Sequence, residues 1–349
     1  MSAVVVGTGL VGASVGMALR AAGRTVHLTD RTPSHAMVAA SLGAGTTETP
    51  DADAVTLVVV AVPPGAIAAV VSEALVTYPY AVVTDVGSVK GSVLRELEES
   101  GADLSRYVGS HPMAGSQHAG PLTSRGDLFH DRTWVVTPHP QATDESVRIV
   151  EQLVSDCGAR LVTMPPEEHD LAVARVSHLP QLMSTLTAGR LVAAPPEHLR
   201  LAGQGIRDVT RIAGSDPWLW QQIVTANAPA LRAELHAMQA QLDELLTVLD
   251  DPDGVRTVLA RGRDGTRALP GKHGHTPTDY AHVVIEIPDE PGALARLFAD
   301  VDAAGVNVED LTIEHDEARE VGFLSVAVTP DRAESLAAAM TQAGWRQRP

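Results

Sequence analysis

Ala3-Val4-Val5-Val6-Gly7-Thr8-Gly9-Leu10-Val11-Gly12 is the stretch that decides the fold. An unbroken apolar run reads as a strand buried on both faces. The segment from Leu10 to Ala22 reads as a helix, so the glycines sit in a strand–turn–helix context. Gly7 permits the tight turn, Gly9 lets backbone approach a pyrophosphate, and Gly12 allows close packing of helix on strand. Thr8, Leu10 and Val11 complete the turn, and the helix N-terminus favours the phosphate anions. The turn therefore predicts a dinucleotide site. A Rossmann fold for another nucleotide cofactor, or a purely structural glycine turn, shares the pattern.

Asp30 closes a second predicted strand, eighteen residues beyond Gly12. A carboxylate there accepts from a ribose 2′-hydroxyl and repels a 2′-phosphate, which predicts NAD. Arg31 beside it could pair with a phosphate, so NADP stays open. Val62 and Pro63 end a third strand at its carboxyl edge and are candidates for the nicotinamide side.

Outward from this turn, Val-rich runs alternate with Ala-rich helical stretches. The runs are Ala3–Val6, Thr25–Leu28, Val55–Val62, Ala81–Thr84, Trp134–Thr137 and Arg160–Thr163. This alternation predicts a Rossmann-type, doubly wound parallel α/β sheet over residues 1–164. Residues 165–260 show helical patterning only, with Leu231, Leu235, Met238, Leu242, Leu245, Leu246 and Leu249 marking a long amphipathic helix. Such a stripe suits a core or dimer interface. Residues 261–279 read as a Gly- and Pro-containing linker. Its His273 and His275 lack a Cys or carboxylate set, so no metal is expected. Residues 280–349 read as βαββα, with room for a short last strand, which fits a small ferredoxin-like α+β module.

The whole chain has 349 residues, enough for two or three domains, and a net charge of −17. That charge argues against nucleic acid and anionic membrane surfaces as partners. No run reaches the ~18 apolar residues of a membrane span. The strand at Val4–Val6 leaves no room for a cleavable leader, which points to the cytoplasm. The single Cys157 cannot form an internal disulfide and reads as buried filler.

Two further segments carry candidate chemistry. Asp85-Val-Gly-Ser88-Val-Lys90 follows the fourth strand, and Gly109-Ser-His111-Pro-Met-Ala-Gly-Ser116 is placed on a loop after a fifth. In the helical region stand Ser177-His178-Leu-Pro-Gln181 and Arg207-Asp-Val-Thr-Arg211. Together GTGLVG, DVGSVKG, GSHPMAGS, EEHDLAVARVSHLPQ and RDVTRIAGSDPWLW resemble, in order over residues 1 to about 250, the prephenate/arogenate dehydrogenase family of tyrosine biosynthesis. The tail, IPDEPGALARLFADVDAAGVNVED, looks like an ACT domain, which some members carry.

The resemblance implies NAD-dependent oxidation and decarboxylation of prephenate, with arogenate dehydrogenation the alternative. It implies His111 as the base for the ring hydroxyl, Ser88 as its orienting partner, and His178 as a substrate-positioning residue. A neutral imidazole suits proton removal near pH 7, and the reaction needs neither metal nor flavin. A structural histidine is the competing reading for both positions. Arg211 is the candidate cation for the substrate carboxylate, with Arg207 second; they lie four apart on an expected helix and can share a face. Pairing with Asp208 or Asp216 is the competing reading. Ser116, Gln117 and Gln181 belong to the implied substrate site. Many prephenate-using relatives have an acid where Gln117 stands and a histidine where Gln181 stands. Arogenate bears an ammonium, so loss of that carboxylate favours prephenate. Glu168, His169 and Asp170 match the family but read as structural, because adjacent helical residues point in different directions. In the tail, Gly292 and Asn307 are the candidate amino-acid effector site, with tyrosine the implied effector and a homodimer the implied assembly.

Two rivals make different demands. A β-hydroxyacid dehydrogenase needs a catalytic lysine in the helical region, and the only lysines are Lys90 and Lys272. A non-catalytic sensor of NAD and an amino acid would show no turnover.

Overall fold

The apolar runs pair into a parallel sheet. The computed structural model describes residues 2–115, 120–269, 280–288, 290–316 and 321–348. In it, β1 (Ser2–Val6), β2 (Thr25–Thr29), β3 (Val55–Val60) and β4 (Val82–Asp85) lie in the order β2-β1-β3-β4. All neighbours are parallel; Val6 lies opposite Thr29 and Val60, and Val60 opposite Asp85. The four carboxyl ends share one edge. The chain crosses from one side of β1 to the other between β2 and β3, which puts the switch point beside the glycine turn.

Helices cover both faces: α1 (Leu10–Ala21), α2 (Pro33–Ser41), α3 (Ile67–Thr77), α4 (Gly91–Ser100) and α5 (Asp144–Asp156). Leu57 and Val59 of β3 pack with α1, α2 and α5, whereas Val58 and Val60 pack with α3 and α4. Period-two alternation thus sends apolar side chains both ways. Each fully buried Val or Leu contributes ~1.5–3 kcal/mol. Cys157 caps α5 and is fully buried, and burial pushes its thiol pKa up.

The expected single doubly wound parallel sheet is corrected beyond β4. A second sheet holds β5 (Gly109–Pro112), β6 (Thr133–Thr137) and β7 (Arg160–Thr163). β5 runs antiparallel to β6, and β6 parallel to β7. A parallel bridge between Val83 and Tyr107 links the two sheets. The GSHP segment, read as loop, is itself strand β5, with His111 opposite Val135. Its Gly, Ser and Pro content hides a strand that only the β6 partner reveals. β3 also ends at Val60, so Val62 and Pro63 belong to the turn beyond it.

The next region is helical: α6 (Pro166–Val173), α7 (Leu179–Leu191), α8 (Pro196–Leu199), α9 (Gln204–Thr210), α10 (Pro217–Ala226), α11 (Ala228–Thr247) and α12 (Pro252–Arg267). α12 extends past the expected boundary, so residues 261–267 are helix rather than linker. Asp251 caps its start through the amide of Asp253, and Arg261 bridges to Glu244 of α11 at 2.7 Å. His273 and His275 lie outside the described residues.

The chain divides into two compact units, residues 1–241 and 242–349. The second contains β8 (Ala281–Pro288), α13 (Ala293–Ala303), β9 (Asp310–Asp316), β10 (Val321–Val328), α14 (Pro330–Gln342) and β11 (Gln347–Arg348). Its sheet order is β11-β8-β10-β9, antiparallel throughout. Ile285, Leu324 and Val326 pack against Leu297 of α13 and Leu336 and Met340 of α14. Among the described residues, no helix is long and apolar enough to cross a membrane.

Candidate active site

The glycine turn is built as a close-packed corner. Gly7 has φ +92°, and a Cβ there would lie 2.3 Å from the Ala61 carbonyl oxygen. A Cβ on Gly12 would fall 1.9 Å from the Gly7 carbonyl oxygen. Around the Cβ position of Gly9, by contrast, there is no atom within 4 Å. The space a side chain would fill is open beside the first turn of α1, and a pyrophosphate fits such a cradle.

Asp30 is held ready at the end of β2. One carboxylate oxygen accepts from the Thr8 amide at 2.7 Å and the Thr8 hydroxyl at 3.0 Å; the other accepts from the Thr32 amide at 2.8 Å. Partial burial opposes ionisation, but these hydrogen bonds outweigh it and lower the pKa. The acid is therefore charged at neutral pH. Arg31 is exposed beside it. Val62 and Pro63 lie on the turn at the switch point, where the Gly65 amide donates to Gln222 of α10 at 3.0 Å.

A polar cluster lies beneath the carboxyl edge. Lys90 is 1% exposed and is ion-paired with Asp85, which is fully buried. Lys90 Nζ also donates to the Ser110 carbonyl at 2.8 Å. Asp85 accepts from the Tyr107 hydroxyl at 2.8 Å and the Gly87 amide at 2.9 Å. Burial, with Asp85 alongside, drives the Tyr107 pKa well above its usual value. Lys90 thus braces the loop that carries Ser88. Ser88 is half-buried, and among the described residues its hydroxyl has no partner.

Above this base the histidines converge. His111 is 9% exposed, and its Nδ1 meets His169 Nε2 at 2.9 Å. His169 Nδ1 meets Asp170 Oδ1 at 2.9 Å. Asp170 also accepts from the backbone amides of Lys90 at 2.9 Å and Gly91 at 2.8 Å. Asn227 Nδ2 donates to the Asp170 carbonyl at 2.8 Å and lies 3.1 Å from His178 Nδ1. Trp220 stands edge-on to His178, ring centroids 6.0 Å apart.

His178 ends a π-helical turn, Ala174–His178, between α6 and α7. Nine α-helical steps of about 100° would place it opposite His169. The wider turn absorbs one residue and swings it back towards His169. Burial, then the neighbouring His169, Lys90 and His178, hold the His111 pKa well below its usual value. Burial lowers that of His178 to about 4, against the pull of Asp170. Both rings are neutral at pH 7.

The expectation that the side chains of His169 and Asp170 diverge is corrected. Both are buried, and both connect to His111. Side chains from adjacent helical positions meet here because His169 Nδ1 turns back to its neighbour's carboxylate. Lys90 and Asp85 enter the sequence reading as the ends of the Ser88 segment, and Tyr107 and Asn227 carry no expected role there. The segment Asp85–Lys90 is the local signal for the first two, and nothing local marks Tyr107 or Asn227.

Arg207 and Arg211 do not share one helix. α9 ends at Thr210, and Arg211 opens a 3-10 turn, Arg211–Gly214. Asp208 accepts from Gln204 at 2.7 Å, and Asp216 caps α10 through the Trp218 amide at 3.0 Å. Gln181 is buried and donates to the Ile212 carbonyl at 3.0 Å, which ties α7 to the arginine turn. Ser116 and Gln117 lie outside the described residues. Gly292 and Asn307 belong to the second unit. Gly292 precedes α13 with φ +85° and open space at its Cβ position, and Asn307 donates to Glu309 at 2.6 Å.

Comparison with known proteins gives a consistent picture. Residues 15–163 match the prephenate dehydrogenase nucleotide-binding domain, and residues 165–259 the prephenate dehydrogenase dimerization domain. A probable prephenate dehydrogenase, NovF of Streptomyces niveus, is 36% identical over 99% of this chain and 98% of its own. The crystal structure of prephenate dehydrogenase from A. aeolicus, in complex with hydroxyphenyl propionate and NAD+, superposes with a TM-score of 0.69 at 26% identity. That match covers 76% of this chain and 97% of the other. Synechocystis arogenate dehydrogenase gives 0.66 at 25% identity, covering 77% of this chain and all of its own. The chain therefore belongs to the prephenate dehydrogenase family, whose members are NAD-dependent oxidoreductases.

Proposed function

We propose that this enzyme oxidises and decarboxylates prephenate to 4-hydroxyphenylpyruvate, with His111 as the base. The observation that carries the reading is a neutral, nearly buried His111 at the end of β5, bonded through Nδ1 and so left with Nε2 for substrate. NAD, which the Gly7–Gly12 turn and Asp30 would hold, would supply the acceptor for the hydride of the ring carbon that bears the hydroxyl. His111 takes the hydroxyl proton as the carbonyl forms. Loss of CO2 leaves a phenolate, to which the same imidazole returns the proton. Ser88, whose hydroxyl is uncommitted among the described residues, orients the alcohol. His178 and Arg211 receive the substrate's acceptor oxygens, and bidentate guanidinium contact suits a carboxylate. Arg207 is the second cation of that region.

The test follows NADH absorbance with prephenate or arogenate as substrate. Turnover of prephenate supports the proposal, turnover of arogenate alone assigns the other substrate, and silence with both refutes a dehydrogenase. His111→Asn should abolish turnover while leaving NAD binding intact. Retained turnover would remove the base from the scheme.

We further infer that the βαββαβ unit is an ACT domain and that the enzyme is a homodimer. Its strand order is that of a ferredoxin-like module, and the helical region matches a dimerization domain. Tyrosine is the proposed effector at Gly292 and Asn307. Dose-dependent inhibition by tyrosine, lost in Gly292→Val, supports it; indifference to tyrosine refutes it.

A further inference from the structure

The hydrogen bonds around the two histidines are one-directional, and their directions can be followed from groups whose roles are fixed. The Asp170 carbonyl oxygen only accepts, so the Asn227 atom 2.8 Å away is the amide nitrogen. An amide nitrogen only donates, so His178 Nδ1, 3.1 Å away, is an acceptor. A neutral His178 must then carry its proton on Nε2. The second chain starts at the Asp170 carboxylate, on which the Lys90 and Gly91 amides converge. As an acceptor it takes the proton of His169 Nδ1 at 2.9 Å. His169 Nε2 is left bare and accepts from His111 Nδ1 at 2.9 Å.

We propose that Asp170 and His169 pin the His111 proton on Nδ1, leaving Nε2 bare, while Asn227 pins the His178 proton on Nε2, so that substrate meets one acceptor and one donor. This rests on His111 being the base and says how its reactive atom is chosen. His169, Asp170 and Asn227 are positioning residues; they act through the two rings. In the opposite tautomer His111 would present an N–H to the substrate alcohol and could not take its proton. His178 Nε2–H donates to an oxygen acceptor of the substrate, a role a carboxylate or carbonyl fills. The amides of Lys90 and Gly91 come from the loop that carries Ser88, so the same short segment sets both the alcohol's orientation and the base's tautomer.

The experiment has two arms. In the first, protein labelled with 15N-histidine and saturated with NAD is read by long-range 1H–15N correlation, the peaks being assigned with His111→Asn and His178→Asn. The expected result is an Nδ1–H pattern for His111 and an Nε2–H pattern for His178. An Nε2–H pattern for His111 overturns the proposal. In the second, His169→Leu removes the acceptor for His111, whereas His169→Gln keeps a carbonyl there. His169→Leu should lower kcat by about 100-fold or more, by analogy with tautomer loss in a catalytic triad. KM for prephenate and affinity for NAD should stay within about threefold, and His169→Gln should recover part of kcat. A kcat within about twofold of the parent in His169→Leu overturns the relay. Turnover surviving in His111→Asn strikes the base assignment instead, so the two failures are distinct. If His169→Leu does not fold, the spectrum of the unaltered protein decides.

Discussion

Acidification from about pH 8 to about pH 5 should cost this fold stability through His178, by an amount the site predicts. The ring is 1% exposed, and burial holds its pKa near 4, against 6.5 in an open chain. Between those values the unfolded chain takes up a proton that the folded one refuses. Stability therefore rises with pH across that window and is lost as pH falls through it. Each pKa unit is worth about 1.4 kcal/mol, so the full penalty is about 3 kcal/mol. At about pH 5 the unfolded imidazole is almost fully protonated and the folded one barely so, which leaves about 2 kcal/mol. His111, shifted in the same direction, adds to the loss in parent and variant alike and so drops out of their difference. The assay is reversible denaturant unfolding of the parent and of His178→Gln at both pH values, followed by circular dichroism. The quantity compared is the pH-dependent change within each protein, because the substitution also alters packing against Trp220. The parent should lose about 2 kcal/mol more than the variant. Equal losses, to within about 0.5 kcal/mol, would refute a sealed, neutral His178.

Gly12→Ala should weaken NAD binding by about tenfold or more, because its Cβ would meet the Gly7 carbonyl oxygen at 1.9 Å and force the turn open; calorimetry showing unchanged affinity would contradict the close-packed corner. Lys90→Met leaves the Asp85 carboxylate buried without its cation and should cost about 3–5 kcal/mol. Thermal unfolding measures this, and a loss below about 1 kcal/mol would show that the pair is not structural. Asp30→Ala should raise KM for NAD by about 10-fold to 100-fold and reduce the preference over NADP. An unaltered NAD-to-NADP ratio of kcat/KM would mean that the carboxylate does not read the ribose.

The dinucleotide half was legible because its signals are local. Continuous Val runs, a glycine turn and an acid at a fixed distance constrain backbone over a few residues, and the folded chain keeps those relations. The motif around His111 is legible in the sequence, but its strand is not. Gly109-Ser110-His111-Pro112 carries no strand propensity and pairs only because Thr133–Thr137 lies beside it. The break between Arg207 and Arg211 escaped because a 3-10 turn after Thr210 costs little and leaves no mark in periodicity.

The order of residues along the chain determined the parallel sheet, the cofactor turn, the helical region and the β-α-β-β-α unit, since each depends on spacing within one element or between neighbours. Only the tertiary structure decided which polar groups touch. His111 and His169 are 58 residues apart, Asp170 and Asn227 57, and Lys90 and Asp170 80. A hydrogen bond depends on distance and direction in space, and sequence separation fixes neither. The proton positions of the two histidines are set by that packing, with a π-helical turn bringing His178 round to meet Asn227.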